Sequence, residues 1–415
     1  MTWTNQQSTL RLVTGQASSL RAVNTAVLVE ELRRSGTVSR ADLARRTGLA
    51  KQTVSTIMGQ LVRDGVVREV GLGAPDRAGG RPATLVEYAA DRAFVAGVEV
   101  GVGRTRVVLA DALGSPVGVR DVNPVRVGRN TPPGAVLDAI VAALSDLAGA
   151  PGSLERVRSV GVSVTGLVQP STGTCVLAPN LGWHDVAVAA LLQERLAARG
   201  ATVPVPVRGA AQASLIAEHR EGAAIGVDDV VLLFEDEGVG AAVIEGGRLV
   251  QGVDGTAGEL GHCPWPGGQR RCACGRRGCV ETLTSGPALR RAVEQSWGRR
   301  IRRPRGMPTL QALASLEPAE ADRAPFYLAA REAGEVLGTA ASWLVAMTAP
   351  RLVLLSGSLA EAPTSYRSGV EAALRRPTLG GGTPLDVRTG ALGDGAALRG
   401  AVLLALDSAR AVDSA

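Results

Sequence analysis

The chain changes texture near Arg92, and that change limits what it can fold into. Before it, apolar residues recur at helical spacing among basic residues. From Phe94 onward, short Val/Gly-rich runs alternate with Ala/Leu-rich helical stretches, the pattern of an α/β fold. Charge follows the same division. The first 92 residues hold 13 Lys/Arg against 8 Asp/Glu, whereas the rest hold 32 against 31. A small basic module joined to a nearly neutral larger one points to a polyanion binder attached to something else. At 415 residues, two or three domains are expected.

Residues 1–20 are polar and lack periodicity, which predicts a mobile tail. Residues 21–90 read as a DNA-binding domain. Val23, Val27, Leu28 and Leu32 fall on one helical face, and Gly36 ends that helix. Ser39 then N-caps a second helix, with Asp42 in its first turn opposing the dipole. Leu43 and Ala44 face inward, and Thr47-Gly48 makes a sharp turn. A third helix starts near Ala50, buries Val54, Ile57 and Leu61, and ends at Asp64-Gly65. Two short helices about a Gly-containing turn describe a helix-turn-helix. Val66–Val70 and Leu85–Tyr88 read as strands, and the Gly- and Arg-rich loop between them makes a winged helix-turn-helix. On double-stranded DNA, the start of the third helix would present Lys51, Gln52, Thr53, Ser55 and Thr56 to the major groove, with Ser39 and Arg40 alongside. Arg77 and Arg81 in the wing would reach a phosphate or the minor groove.

Residues 91–415 carry a weak internal repeat. Phe94–Asp111 and Val230–Val250 both read strand, Gly-bearing turn, strand, which predicts two similar lobes with a cleft between them. A final helix covers roughly Ala396–Leu406 and is expected to return to the first lobe. No apolar run is long enough to span a bilayer, and Met1–Leu20 lacks a basic-then-apolar leader, so a cytoplasmic protein away from membranes is expected.

Four of the five cysteines fall between Cys263 and Cys279. Clustering of that kind suits a metal site in a reducing compartment better than a disulfide framework. His262, Cys272, Cys274 and Cys279 offer one nitrogen and three thiolates within eighteen residues. That is a closed tetrahedral set for one structural Zn2+. Cys263 adjoins His262, and neighbours rarely both reach one ion.

The sequence Gly255-Thr-Ala-Gly-Glu-Leu-Gly-His262, followed by Cys272-Ala-Cys-Gly-Arg-Arg-Gly-Cys279-Val-Glu281, resembles the signature of the ROK family of repressors, open reading frames and sugar kinases. Leu20-Arg21, Asn24, Ser39–Ala44, Thr47-Gly48-Leu49, Thr53-Val54-Ser55 and Gly80-Arg81-Pro82 resemble the family's repressor branch. The resemblance runs from about Leu20 to the C-terminus. It implies an actin-like (ribonuclease H-like) sugar-kinase fold for the large part, with a sugar in the cleft. By the same resemblance, Glu259 and Glu281 would hold ring hydroxyls, Asn180 would lie near the sugar, and His262 would bridge sugar and zinc.

The resemblance also implies that catalysis has been lost. The family's kinases carry an Asn-Asp pair whose aspartate takes the proton from the attacking hydroxyl. Counting back from Glu218, those positions are Gly209 and Ala210. The phosphate loop Asp-x-Gly-Gly-Thr is replaced by Glu99-Val-Gly101-Val-Gly103-Arg-Thr105. The second loop, Gly-Thr-Gly, is replaced by Asp236-Glu237-Gly238, two carboxylates that would repel phosphate. No ATP binding and no kinase activity are expected. A sugar-responsive repressor acting as a homodimer or homotetramer on an operator follows, with an uncharged sugar as effector. An active kinase with a fused DNA-binding domain and a regulator controlled by a protein partner are the alternatives. The uncharged effector follows because a phosphate on a bound sugar would project towards Asp236 and Glu237; Arg208, beside the vacated Asn-Asp position, argues the other way as a group able to pair with a phosphate. Arg299–Arg305 reads as a solvated basic loop, and Cys175 as a core thiol.

Overall fold

Helix α1 (Ala17–Ser35) is packed through Leu28 and Leu32, both fully buried and one turn apart. The computed structural model describes residues 17–73, 82–122, 131–149, 153–304, 307–316, 318–375 and 385–413. They divide into two units, one ending at Arg92 and one beginning at Ala93. The wing arginines Arg77 and Arg81 lie outside the described residues.

After α1 come strand β1 (Val38–Ser39), α2 (Arg40–Thr47), α3 (Lys51–Arg63), β2 (Val67–Leu72) and β3 (Thr84–Tyr88). The three strands form one antiparallel sheet in the order β1-β3-β2. Ser39 accepts a hydrogen bond from Asp42 N at 3.1 Å, as an N-cap should, and Gly48 closes α2 in the left-handed region. Leu43, Val54, Ile57, Met58 and Val86 complete the core. Val23 and Val27 depart from expectation, being 59% and 43% exposed. Within this unit, the buried part of α1 is the half carrying Leu28 and Leu32, so its apolar periodicity outruns the surface that packs on it.

The second unit opens with β4 (Phe94–Gly101), β5 (Arg104–Asp111) and β6 (Pro116–Asp121), then α4 (Pro133–Ala148) and β7 (Val157–Val164). A small sheet of β8 (Leu167–Gln169), β9 (Thr174–Ala178) and β10 (Trp183–Val186) follows, with α5 (Val188–Ala197) and β11 (Val207–Gly209) after it. The main sheet of this lobe runs β11-β7-β4-β5-β6, with β4, β7 and β11 parallel. Helix α6 (Ala210–Glu221) leads to the second lobe: β12 (Val230–Glu235), β13 (Val239–Glu245), β14 (Arg248–Leu249), α7 (Glu281–Thr284), α8 (Gly286–Trp297), α9 (Thr309–Ala314), α10 (Glu320–Thr348), β15 (Leu352–Gly357), α11 (Thr364–Leu374) and β16 (Asp386–Thr389). Its sheet runs β14-β13-β12-β15-β16. The β4–β5 and β12–β13 hairpins are antiparallel pairs at matching places in the two sheets, which is the repeat seen in the sequence.

Helix α12 (Ala396–Asp413) returns to the first lobe and packs on β4 and β7, while α6 packs on β12 and β13. The two helices also lie against each other, so an α6–α12 pair separates the two sheets. The approach is close: a Cβ at Gly161 of β7 would sit 2.0 Å from the Ala401 carbonyl oxygen. Only glycine permits that contact. Separate apolar cores fill each lobe, one around Val98, Val160 and Ile140 and one around Leu233, Leu337 and Leu355. None of the described helices is long and apolar enough to cross a membrane.

Candidate functional site

Helix α3 buries Val54, Ile57 and Met58 and thereby turns Lys51, Gln52, Ser55 and Thr56 to solvent, with Thr53 half-buried. Thr56 Oγ1 donates back to the Gln52 carbonyl at 2.9 Å. Arg40 pairs with Glu69 of β2 at 2.9 Å. Ser39 is corrected as a free contact residue: it is buried, and its hydroxyl is committed to the α2 cap and to Asp42 Oδ2 at 2.8 Å.

In the larger unit, the loop between β14 and α7 brings His262, Cys272, Cys274 and Cys279 together. Their ligand atoms all lie within 4.8 Å of one another. His262 Nδ1 and Cys272 Sγ are 3.7 Å apart, as are the Cys274 and Cys279 sulfurs. The edge of a tetrahedron with 2.3 Å metal–sulfur bonds is about 3.8 Å. Two of the six ligand–ligand separations thus match that edge, and the set could hold a metal ion. Backbone bonds hold the loop: Cys272 N donates to Arg276 O at 2.8 Å, and Trp265 N to Gly278 O at 2.7 Å. Cys263 stands apart, its sulfur 3.9 Å from the Glu259 carbonyl oxygen.

The metal loop forms one wall of a cleft with about 690 Å³ of empty space, part of it open to solvent. Asn180, Glu259, His262 and Glu281 all line it, so the structure brings together every residue expected to face a sugar. Glu281 is buried, accepts from Val239 N at 3.0 Å through Oε2, and lies 3.6 Å from Cys272 Sγ through Oε1. It links the loop to the start of β13. At Gly238 a Cβ would lie 2.6 Å from Glu281 Oε2 and 2.9 Å from Asn180 Nδ2, so this position is kept bare by the cleft. Gly209 and Ala210 face the same cleft from the start of α6, with no carboxylate at either. Sequence reasoning passed over Thr165 and Gln212, which also line it. The signal for Gln212 was a lone long polar side chain in the Ala-rich first turn of α6.

The region read as a damaged phosphate site is filled from within. Arg104 makes a two-pronged bond to Asp394, with both distances 2.6 Å. Arg106 donates to Glu99 Oε2 at 2.7 Å and to the Asp394 carbonyl oxygen at 2.6 Å. This ties the β4–β5 hairpin to the turn before α12. Asp236 is buried beside it, and desolvation together with the Glu99 charge pushes its carboxyl up to about 7. The acidic pair is not among the residues lining the cleft, although Gly238, next in the chain, is. Asp236 lines a small separate hollow with Arg104 and Arg303. Glu237 accepts from Thr309 N at 3.0 Å and pairs with Arg303. Of the basic run, Arg299, Arg300 and Arg302 are exposed, with Arg299 also stacking 4.6 Å over Trp297, whereas Arg303 turns inward to Glu237 and Arg305 lies outside the described residues. Arg208 donates to its neighbour's carbonyl, Val207 O, at 2.9 Å and stays out of the cleft. Cys175 is fully buried in β9, and burial pushes its thiol up to about 12.

A winged helix-turn-helix followed by a two-lobed kinase-like unit with a His-Cys cluster that could hold a metal ion is the class that this geometry defines. The ROK family model matches residues 95–408, and a winged helix-turn-helix DNA-binding model matches residues 27–68. The chain belongs to the ROK family. The xylose repressor of Bacillus subtilis is 29% identical over 276 residues, 66% of this chain and 69% of that protein. A ROK family transcriptional regulator, a homologue of the E. coli MLC protein, shares the fold with a TM-score of 0.70 at 21% identity, over 95% of this chain and 98% of that one. A ROK family glucokinase from Streptomyces griseus, solved with glucose and AMPPNP, gives a TM-score of 0.62 at 25% identity, over 76% of this chain and 99% of that one. The large unit therefore has the family's actin-like fold, which repressors and kinases share.

Proposed function

We propose that the chain is a sequence-specific DNA-binding repressor of sugar-metabolism genes, switched by a sugar in the cleft and devoid of kinase activity. One observation carries this reading. A cleft lined by Asn180, Glu259, His262 and Glu281 has only Gly209 and Ala210 where a kinase of this family would place its proton acceptor. Sugar recognition without phosphoryl transfer is the chemistry left. The Arg104–Asp394 and Arg106–Glu99 pairs support it, because they spend on each other the cations that an incoming phosphate would need. The xylose repressor relative and the exposed polar face of α3 support the DNA-binding half.

In this reading Zn2+ occupies the His262–Cys279 set as a structural ion. It holds Glu259 and Glu281 in place from behind, as outer-shell groups do around a ligand site. The protein acts in the cytoplasm as a homodimer or homotetramer. The sugar moves DNA occupancy only through different affinities for the DNA-competent and DNA-released forms. The test pairs two measurements on the full chain. A gel-shift on the chain's own promoter fragment should show a complex that D-xylose, D-glucose or another free sugar dissolves. A coupled assay should show no ATP consumption with the same sugars. Sugar-dependent ATP turnover, or a complex indifferent to a broad sugar panel, would overturn the reading.

A further inference from the structure

Gln212 stands in the first turn of α6, 6% exposed, and lines the cleft. Its side-chain oxygen Oε1 is buried and has no hydrogen-bond partner among the described residues. Such a group is costly, because it has given up water without gaining a donor. The neighbours do not relieve it. Ala211 and Ala213 carry no polar side chain, and Gly209, the N-cap of α6, supplies no side-chain cap. A Cβ at Gly209 would sit 3.1 Å from the Gly166 carbonyl oxygen, so the backbone is already tight on that side. The uncapped start of a 12-residue helix and the residue that carries an unpaired amide oxygen thus both belong to the lining of the cleft.

We propose that Gln212 is a ligand-contact residue that accepts a hydrogen bond from a hydroxyl of an uncharged sugar, and that this requirement sets the cleft against phosphorylated ligands. The inference rests on the cleft being a sugar site. A hydroxyl meets both halves of the wall: it accepts from an N–H at the start of α6 and donates to Gln212 Oε1. An ionised phosphoryl group only accepts. Set against Gln212 Oε1, it leaves that oxygen unpaired and faces it with like partial charge. Glu259 and Glu281 in the same lining also accept and so ask for donors from the same ligand. Selection against phosphate thus passes from Asp236 and Glu237, which are not among the cleft's lining residues, to a neutral side chain that is. Gln212 acts in recognition alone, since no bond of the ligand is broken.

Rotation of the amide would present Nε2 instead, and the experiment separates the two orientations. Full-length protein is titrated calorimetrically with D-xylose, D-glucose and glucose 6-phosphate, as wild type and as Gln212→Met and Gln212→Glu. Methionine keeps the length and removes both polar atoms, whereas glutamate keeps the acceptor and removes the amide donor. Wild type should bind a free sugar. Q212M should weaken that binding about tenfold or more, and Q212E should hold it within about threefold. Unchanged melting and metal content would show that the variants are folded. Equal binding by Q212M, equal loss in Q212E and Q212M, or tighter binding of glucose 6-phosphate than of glucose would each overturn the proposal. Absence of binding by wild type across a broad panel of free sugars would instead overturn the sugar-site reading, and this inference with it.

Discussion

At the scale of single residues, burial decides which charges matter. Asp236 is 8% exposed, with Glu99, Glu237 and Asp394 raising the cost of its charge and Arg104 lowering it. Its folded value of about 7 lies above the usual 3.8. Between those values the folded chain holds a proton that the unfolded chain has released. The group therefore stabilises most at low pH, and its contribution is lost as pH rises through about 7. Asp236→Asn removes that loss. Its melting midpoint should exceed wild type by several degrees at pH 8, roughly 2–4 °C for each kcal/mol of the loss avoided. The excess should be smaller at pH 5, where only part of the loss has accumulated, so an equal difference at pH 5 and pH 8 in a calorimetric scan would refute the assignment. Ser39, which the sequence places both at the cap of α2 and beside the DNA, has its hydroxyl committed to that cap.

At the scale of elements, the loop from β14 to α7 is the one most dependent on something other than apolar packing. Its exposed Gly and Arg residues give it little core of its own, and in the proposed reading a metal on the four His and Cys side chains supplies the missing cross-link. Cys274→Ser should lose the metal, measured by elemental analysis of protein purified without chelator. Because Glu281 bonds Val239 N from this loop, sugar affinity should fall by about 10–100-fold. Operator binding without sugar should persist, since α3 belongs to the other unit. Loss of DNA binding with retained sugar affinity would reverse that assignment. Helices α6 and α12 place the cleft: α6 carries Gly209 at its N-cap and Gln212 in its first turn, while α12 fixes α6 against the first lobe.

For the whole molecule, the proposal requires two copies on DNA, because one short helix contacts too few base pairs to specify a site. Two α3 helices about a two-fold axis should protect half-sites about one or two helical turns apart, roughly 34 Å per turn. Gln52→Ala should relax base preference within each half-site. Arg81→Ala should weaken binding on all sequences and reduce the salt slope by about one. Hydroxyl-radical footprinting on the promoter fragment checks all three, and protection without sequence preference would contradict the proposal.

The sequence alone determined features that depend on local chemistry. Helix ends at Gly36, Ser39 and Gly48 follow from backbone freedom and capping, and both hairpins follow from alternation around Gly-bearing turns. The metal set was legible because four ligating residues lie within one loop, so their meeting needs no long-range fold. The family signature in turn marked Asn180, Glu259 and Glu281 before their neighbours were known. What the sequence left open depends on partners far along the chain. Glu237 reads as a cleft-facing acid until Thr309, 72 residues on, takes it as a cap. Asp394 meets Arg104 across 290 residues, which turns a broken phosphate loop into a closed ion-pair network. Val23 and Val27 share a helical face with Leu28 and Leu32, yet only packing decides how much of that face is covered. Gln212 carries no motif, and its meaning comes from being buried at a cleft wall without a donor. Periodicity and spacing act over a few residues. Burial and pairing are properties of the assembled chain, and at this site they determine which polar groups are free to meet a ligand.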